Sequence, residues 1–449
     1  MYKRQEFELG EQALDSVAAV TAAASNDVQR LRALLVQVQT GEMRGESERT
    51  LELAQQGIAL ARAQGDREIE LRFAIPLSGA LAEDRRAAEA VALLEPLRAL
   101  VDLERTPDEL RWNYAIALAL ALDYANRLGD AVPVWAASLE LARRMERNDL
   151  AWQSISNLAS TQAKMGRVQL AVELSLQARQ LARSNGEEMQ GRAMQGQMTL
   201  AHRLRDLGRY AEAVPLLEEA LALFRRNGGG PSDTAAIEHR LAQAFQQLGQ
   251  PARSQQLLQA EHAQLPLGLA MMRQVHRADL AHQLGGDALT PMRAALALQP
   301  DTNDIYHRIA TLFASAIVPP DEGEALATGL AAWASAHQRQ GLALAGHVRA
   351  ARCALAQDAA RRALPQVEAA LRLAHDHQPE SFYLPELWLV AVRVLRSLGR
   401  ELDAEAALRE GLAWVRRVDE QHVPAPFRES FLQRNPINRE LFALAARAP

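Results

Sequence analysis

LAHRLRDLGRYAEAVPLLEEALALFRR, Leu200–Arg226, holds two amphipathic helical segments hinged at one glycine. Apolar side chains recur at three- and four-residue spacing on both sides of Gly208, as they do when one stripe of a helix is buried. Gly208 supplies the tight turn between the segments. Ala201, seven residues before it, and Ala213 and Ala220 after it are small enough to let two helices approach closely, with Leu217 as the larger knob between them. Neither helix can bury its stripe alone, so the pair needs neighbours of the same kind.

Such neighbours run through nearly all of the 449 residues. The turn recurs as Leu128-Gly129-Asp130, Met165-Gly166-Arg167, Leu248-Gly249-Gln250, Leu284-Gly285-Gly286 and Leu398-Gly399-Arg400. From Gly129 the successive glycines stand 37, 42, 41 and 36 residues apart, and the 114 residues before Gly399 hold about three more units. Their degraded turns are expected near Pro319-Pro320-Asp321 and Gln357-Asp358, and upstream ones at Thr40 to Gly45 and Glu83-Asp84-Arg85. Alanine recurs seven residues before the turn glycine at Ala159, Ala242 and Ala278. A period of this length specifies a solenoid whose repeats stabilise one another in a one-dimensional array, here of about ten helical hairpins.

The run Leu207-Gly208-Arg209-Tyr210-Ala211-Glu212-Ala213, with Leu217 and Ala220, resembles the tetratricopeptide repeat. The units here run near 40 residues rather than that family's 34, which is similar to the longer repeats in the sensor regions of the MalT-like family of activators. Val134, Ser254 and Thr290 stand where several second helices should carry alanine. The resemblance implies an all-α fold, a right-handed superhelical solenoid over residues 6–418. The tail from 419 to 449 breaks the repeat and reads as a cap, with Asn435 as N-cap and Pro436 opening a helix that has Leu441 and Leu444 on one face. About twenty residues of it resemble tails of bacterial regulators that join a STAND-type ATPase to an output domain.

Composition narrows the function. Fifty basic against 55 acidic side chains give a net charge of -5, against any general affinity for nucleic acid or anionic lipid. Only Lys3 and Lys164 are lysines, and neither lies in the Gly-Lys-Ser/Thr context of a phosphate-binding P-loop. The longest apolar run, Ala115 to Leu122, is far short of the roughly 20 residues that span a bilayer. A single cysteine, Cys353, excludes an internal disulfide and a thiolate-rich zinc module, and fits a reducing cytoplasm. The opening Met1-Tyr2-Lys3-Arg4-Gln5 resembles the translation of a transposon-type sequencing adaptor read from a GTG start. Residues 1–5 are therefore set apart from the fold, and the chain is expected to be a fragment lacking an N-terminal part.

No constellation for catalysis emerges, and no enzyme, metal or cofactor is expected. His375 and His377 point apart on a helix, Cys353 sits in an apolar helical stretch as an inert thiol, and Gly228-Gly229-Gly230-Pro231 reads as a connector. Binding is expected instead. Aligned on the turn glycines, the groove-facing positions are Arg127, Asn157, Lys164, His202, Arg205, Arg240 and Gln243. Such a groove suits an acidic peptide, a carboxylate or a phosphorylated ligand through charge-assisted hydrogen bonds, unless its arginines pair with neighbouring acids such as Asp206. The resemblance implies the sensor region of a cytoplasmic bacterial signal-transduction regulator. Its groove would take a protein or peptide partner or a small-molecule inducer, and an ATPase and output domain would lie earlier in the same polypeptide. A free-standing scaffold is the alternative.

Overall fold

The computed structural model describes residues 26–44, 47–101, 106–184, 190–226, 230–260, 262, 264–298 and 304–446. The adaptor-like residues 1–5 lie outside them, as do Gly228 and Gly229. Every regular element among the described residues is helical, and the chain is an all-α solenoid of helical hairpins.

The chain divides into two compact units, Met1–Thr161 and Gln162–Pro449. The first is built from α1 (Asp27–Arg44), α2 (Ser47–Gln64), α3 (Arg67–Glu83), α4 (Ala87–Leu94), the short α5 (Arg98–Val101), α6 (Asp108–Tyr124), α7 (Leu128–Arg144) and most of α8 (Asn148–Lys164). Its core includes Phe73, Leu94 and Trp135. Two buried hydrogen bonds tie α6 to α8: Trp112 Nε1 to Ser154 Oγ at 3.1 Å, and Thr161 Oγ1 to Asp123 Oδ2 at 2.5 Å.

The second unit continues with α9 (Val168–Ser184), α10 (Gln190–Asp206), α11 (Tyr210–Arg226), α12 (Pro231–Gln247), α13 (Pro251–Gln259), α14 (Leu267–Gln283) and α15 (Leu289–Leu298). It is completed by α16 (Ile305–Ala314), α17 (Pro320–Ala336), α18 (Gln340–Leu355), α19 (Ala360–Asp376), α20 (Pro385–Ser397), α21 (Glu401–His422), α22 (Arg428–Gln433) and α23 (Pro436–Ala446). Apart from α5, the helices up to α21 succeed one another as ten hairpins among the described residues. Proline repeatedly occupies a first helical turn, at Pro231, Pro251, Pro320 and Pro385, where its missing N–H costs nothing. Asn435 caps α23, its Oδ1 accepting from the Ile437 and Asn438 N–H groups.

The turn register is more regular than the glycines indicate. Left-handed backbone falls at Asn126 (φ 56°) and Asp358 (φ 55°) as well as at Gly166, Gly208, Gly249, Gly285 and Gly399. Asn126, not Gly129, is thus the hinge of the α6–α7 hairpin, and Gly129 lies inside α7. Counting from Asn126 places Ala119 and Ala131 at the small positions, both fully buried, so Val134 is no lapse in the pattern. The same count aligns Pro133, Pro215 and Pro365 seven residues after Asn126, Gly208 and Asp358. The α18–α19 turn falls at Gln357-Asp358 and the α16–α17 turn at residues 315–319, beside Pro319-Pro320-Asp321, both as expected, and a further left-handed residue, Gln338, links α17 to α18. Ser254 does occupy an alanine position, fully buried, and its hydroxyl has no hydrogen-bond partner.

Three of the turn glycines serve a second purpose, because later parts of the second unit pack against them. A Cβ on Gly208 would stand 3.0 Å from Trp414 of α21, one on Gly166 2.7 Å from the Gly341 nitrogen, and one on Gly249 2.2 Å from the Ser430 carbonyl oxygen. Gly285 and Gly399 face open space. The array in this unit therefore closes on itself. Ser430 Oγ donates to the Leu248 carbonyl (2.7 Å) and accepts from Gln250 Nε2 (2.7 Å), and Asn435 Nδ2 donates to the Gln247 carbonyl (2.7 Å). Phe431, fully buried, packs on Tyr210, and the Arg253 guanidinium lies over the rings of Phe245 and Phe427. Further along, the Gln378 N–H donates to the Gly166 carbonyl at 2.8 Å. The segment after α21 covers the turn of the α12–α13 hairpin as well as the last repeat, which goes beyond a simple end cap.

Candidate functional site: a closed interior in the second unit

Closure leaves a cavity of about 300 Å³ on the inner side of the second unit, at the lower end of the roughly 300–1,000 Å³ of small-molecule sites. Its wall comes from fixed positions of the first helix of each hairpin. Three residues before the hinge stand Arg205, Gln246 and His282; six before, Gln243, Asp279 and Arg352; nine before, His276 and Arg349. Phe313, Phe382 and Tyr383 add apolar surface, and Asn435 to Ile437 close one side.

The polar groups form two ordered sets. In the first, Arg205 pairs with Asp206 (2.6 Å) and donates through Nη1 to Gln243 Oε1. Arginine can only donate, which sets the donor and acceptor roles along the whole row of hydrogen bonds. Gln243 must present Nε2 to His276 Nε2, at 2.6 Å, so His276 carries its proton on Nδ1. That nitrogen lies 2.8 Å from the Met272 carbonyl and 2.6 Å from His239 Nε2, which accepts. Burial, with the neighbouring positive charge, holds both histidines neutral, His276 at about 3 and His239 well below its ordinary range.

In the second set Glu386 accepts from Arg349 Nη1 at 2.7 Å and Arg352 Nη1 at 2.8 Å. Burial pushes the Glu386 carboxyl up, but the two guanidiniums outweigh it and hold it below its ordinary range. Asp279 lies opposite with amide partners, Gln246 Nε2 at 2.6 Å and Gln283 Nε2 at 3.2 Å, and burial raises its pKa. The wall thus offers amides, three arginines and the carboxyl groups of Asp279 and Glu386, a surface that can hydrogen-bond a polar chain at several points.

Of the seven groove positions read from the sequence, Arg205 and Gln243 line this cavity. His202 and Arg240 lie one helical turn before them on the same helices, α10 and α12. Lys164 belongs to the second unit near the buried Glu380, whereas Asn157 lies on α8 in the first unit. Arg127 requires correction. The shifted hinge makes it the residue after the turn, exposed and paired with Asp130 (2.8 Å) and Glu95 (2.9 Å), not a groove residue. His276, Asp279, Arg349 and Glu386 were not singled out, although the register of the turn hinges points to the first three.

Cys353 is buried, its Sγ donates to the Ser315 carbonyl, and burial raises the thiol pKa. His375 is exposed at the end of α19 while His377 lies beyond it with extended backbone. Among the described residues no three His, Cys, Asp or Glu side chains are grouped to hold a metal ion, and no helix is long and apolar enough to cross a membrane.

Residues 192–263, spanning the Gly208 and Gly249 hairpins, match the family model described as Tetratricopeptide repeat. This stretch of the chain carries tetratricopeptide repeats. Among solved structures, the tetratricopeptide array is similar to apo RapI, with 10% identity over 77% of this chain and 97% of that one at a TM-score of 0.51, a likeness of fold. It is also similar to a Signal Transduction ATPase with Numerous Domains protein with a tetratricopeptide repeat sensor from Pyrococcus horikoshii (13% identity, 79% of this chain and 51% of that chain, TM-score 0.39). A third similarity is to the TPR-like repeats of a kinesin light chain from Podosopora anserina (26% identity, 42% of this chain and 91% of that chain, TM-score 0.38). No curated protein matches the chain in sequence.

Proposed function

We propose that the second unit is a binding region that takes a short peptide segment or a small polar molecule into its half-open cavity, as the sensing part of a bacterial signal-transduction regulator. The observation that carries this is the cavity wall: amides, arginines and a carboxylate recur at fixed positions of successive first helices and converge on one half-open cavity. Amide side chains can both donate to and accept from a peptide backbone, and the aromatic rings supply apolar contact. Binding would shift the balance between arrangements of the array to the extent that the ligand prefers one of them.

The test is retention of synthetic hexapeptides by the full chain, read by mass spectrometry after size exclusion. Ala316, in the cavity wall, is replaced by tryptophan to fill the space. Retention by the wild type and its loss in Ala316→Trp supports the reading; equal retention contradicts it. Sequencing the locus upstream of the Glu6 codon tests the larger context. Continuation of the frame into an ATPase and an output domain supports a sensor region, and a native start within a few codons favours a free-standing scaffold.

A further inference from the structure

The arginines of the cavity wall have acceptors, as does the nearby Arg273. Arg205 has Asp206 and Gln243, Arg349 and Arg352 share Glu386, and Arg273 donates to four backbone carbonyls. Arg240 is different: though half-buried, it makes no hydrogen bond or ion pair with any described residue. Its charged neighbour is Arg205, a second cation. A half-buried guanidinium that reaches solvent, beside a second cation and without an acceptor, is open to an incoming anion.

The register places a second unsatisfied group opposite. The Arg205–Gln243 bond spans α10 and α12, and one turn earlier on the two helices stand His202 and Arg240. His202 Nδ1 is buried with no partner, and Nε2 lies 3.6 Å from Asp206, too far for a hydrogen bond. The ring is kept neutral by burial and by Arg205, Arg240, Arg203 and His276 around it. A neutral imidazole can place its one proton on Nδ1 and donate there. Arg240 and His202 thus present a fork of N–H donors and a single N–H, next to the rim of the cavity that Arg205 and Gln243 line.

We propose that Arg240 and His202 form an anion subsite that takes a carboxylate of the ligand. Positive charge gathers here from Arg205, Arg203 and Arg240, and the planar Arg240 fork matches a carboxylate. The subsite rests on the proposed peptide-binding role of the interior and names the chemistry recognised there.

Three mixtures of hexapeptides test it on the full chain by the same retention measurement: acid-free with amidated C-termini, acid-free with free C-termini, and Asp/Glu-containing with amidated C-termini. The expected result is strong retention of one or both carboxylate-bearing mixtures, which also tells an α-carboxylate from a side-chain one. Retention should fall at least about ten-fold in Arg240→Gln and less in Arg240→Lys, which keeps the charge and loses the fork. Unchanged thermal midpoints of the two variants exclude misfolding as the cause. Retention of the carboxylate-free mixture as strongly as the others, or equal retention by Arg240→Gln, overturns the subsite and leaves the binding role standing. Retention of no mixture overturns both.

Discussion

Gly249 and Gly285 hold the same turn position with the same left-handed backbone, φ 70° and 76°, yet they should respond very differently to alanine. At Gly285 the new methyl meets nothing within 4 Å, so Gly285→Ala bears only the left-handed penalty, about 1–2 kcal/mol. At Gly249 the methyl would stand 2.2 Å from the Ser430 carbonyl oxygen and 3.0 Å from the Asn435 nitrogen. Both are backbone atoms and cannot swing aside, so the closing segment must withdraw. Withdrawal takes with it the Ser430–Leu248, Gln250–Ser430 and Asn435–Gln247 hydrogen bonds. At about 0.5–1.5 kcal/mol each, with the turn strain, Gly249→Ala should lose about 3–6 kcal/mol. A repeat array need not unfold in one step, so the measurement should resolve regions, by hydrogen exchange of peptides covering 423–446. Exchange there should quicken by well over about ten-fold in Gly249→Ala and stay near wild type in Gly285→Ala, since about 1.4 kcal/mol is a factor of ten. Equal effects of the two substitutions would refute the closure.

Other consequences can be checked separately. Glu386→Gln strips the buried Arg349 and its neighbour Arg352 of their shared countercharge and should cost about 3–5 kcal/mol in urea titrations, against little for the exposed pair partner Glu140→Gln. His276 has a folded pKa of about 3 against 6.5 unfolded, so the unfolded chain binds more protons between those values. Its stabilising contribution is complete above pH 6.5 and declines as the pH falls toward 3; His276→Gln should flatten that part of the stability profile. Glu146 sits at φ 54° with an exposed side chain, and Glu146→Gly should raise the thermal midpoint by relieving up to about 1 kcal/mol of left-handed strain, less the added freedom of the unfolded chain.

The solenoid was legible because its signal is local: three- and four-residue apolar spacing, alanine seven residues before a hinge, and a glycine at several of the left-handed turns. Where other residues take that conformation, the glycine signal misleads. Asn126 tolerates it through its short polar side chain, and the nearby Gly129 drew the register three residues off, carrying Arg127 into the groove. The proline seven residues after three of the hinges, Pro133 matching Pro215 and Pro365, would have shown the shift. The cavity was half legible. Arg205 and Gln243 follow from the hinge register, and so would His276, Asp279, Arg349 and Arg352 once Asp358 is taken as a hinge. Glu386 and Asn435 were not, since their places depend on how the array closes, through contacts between residues some 180 apart in sequence such as Ser430 and Leu248. No local periodicity encodes that.

The second unit closes on itself through contacts of residues 430–435 with the α12–α13 turn, and the proposed binding cavity depends on that closure. Spin labels at the exposed Gln255 on α13 and Glu429 on α22, with Cys353 replaced by serine, measure it directly by electron–electron distance spectroscopy. Closure predicts a single short and narrow distance distribution, unchanged in Gly285→Ala and broadened in Gly249→Ala. A long or broad distribution in the otherwise unsubstituted protein would contradict it.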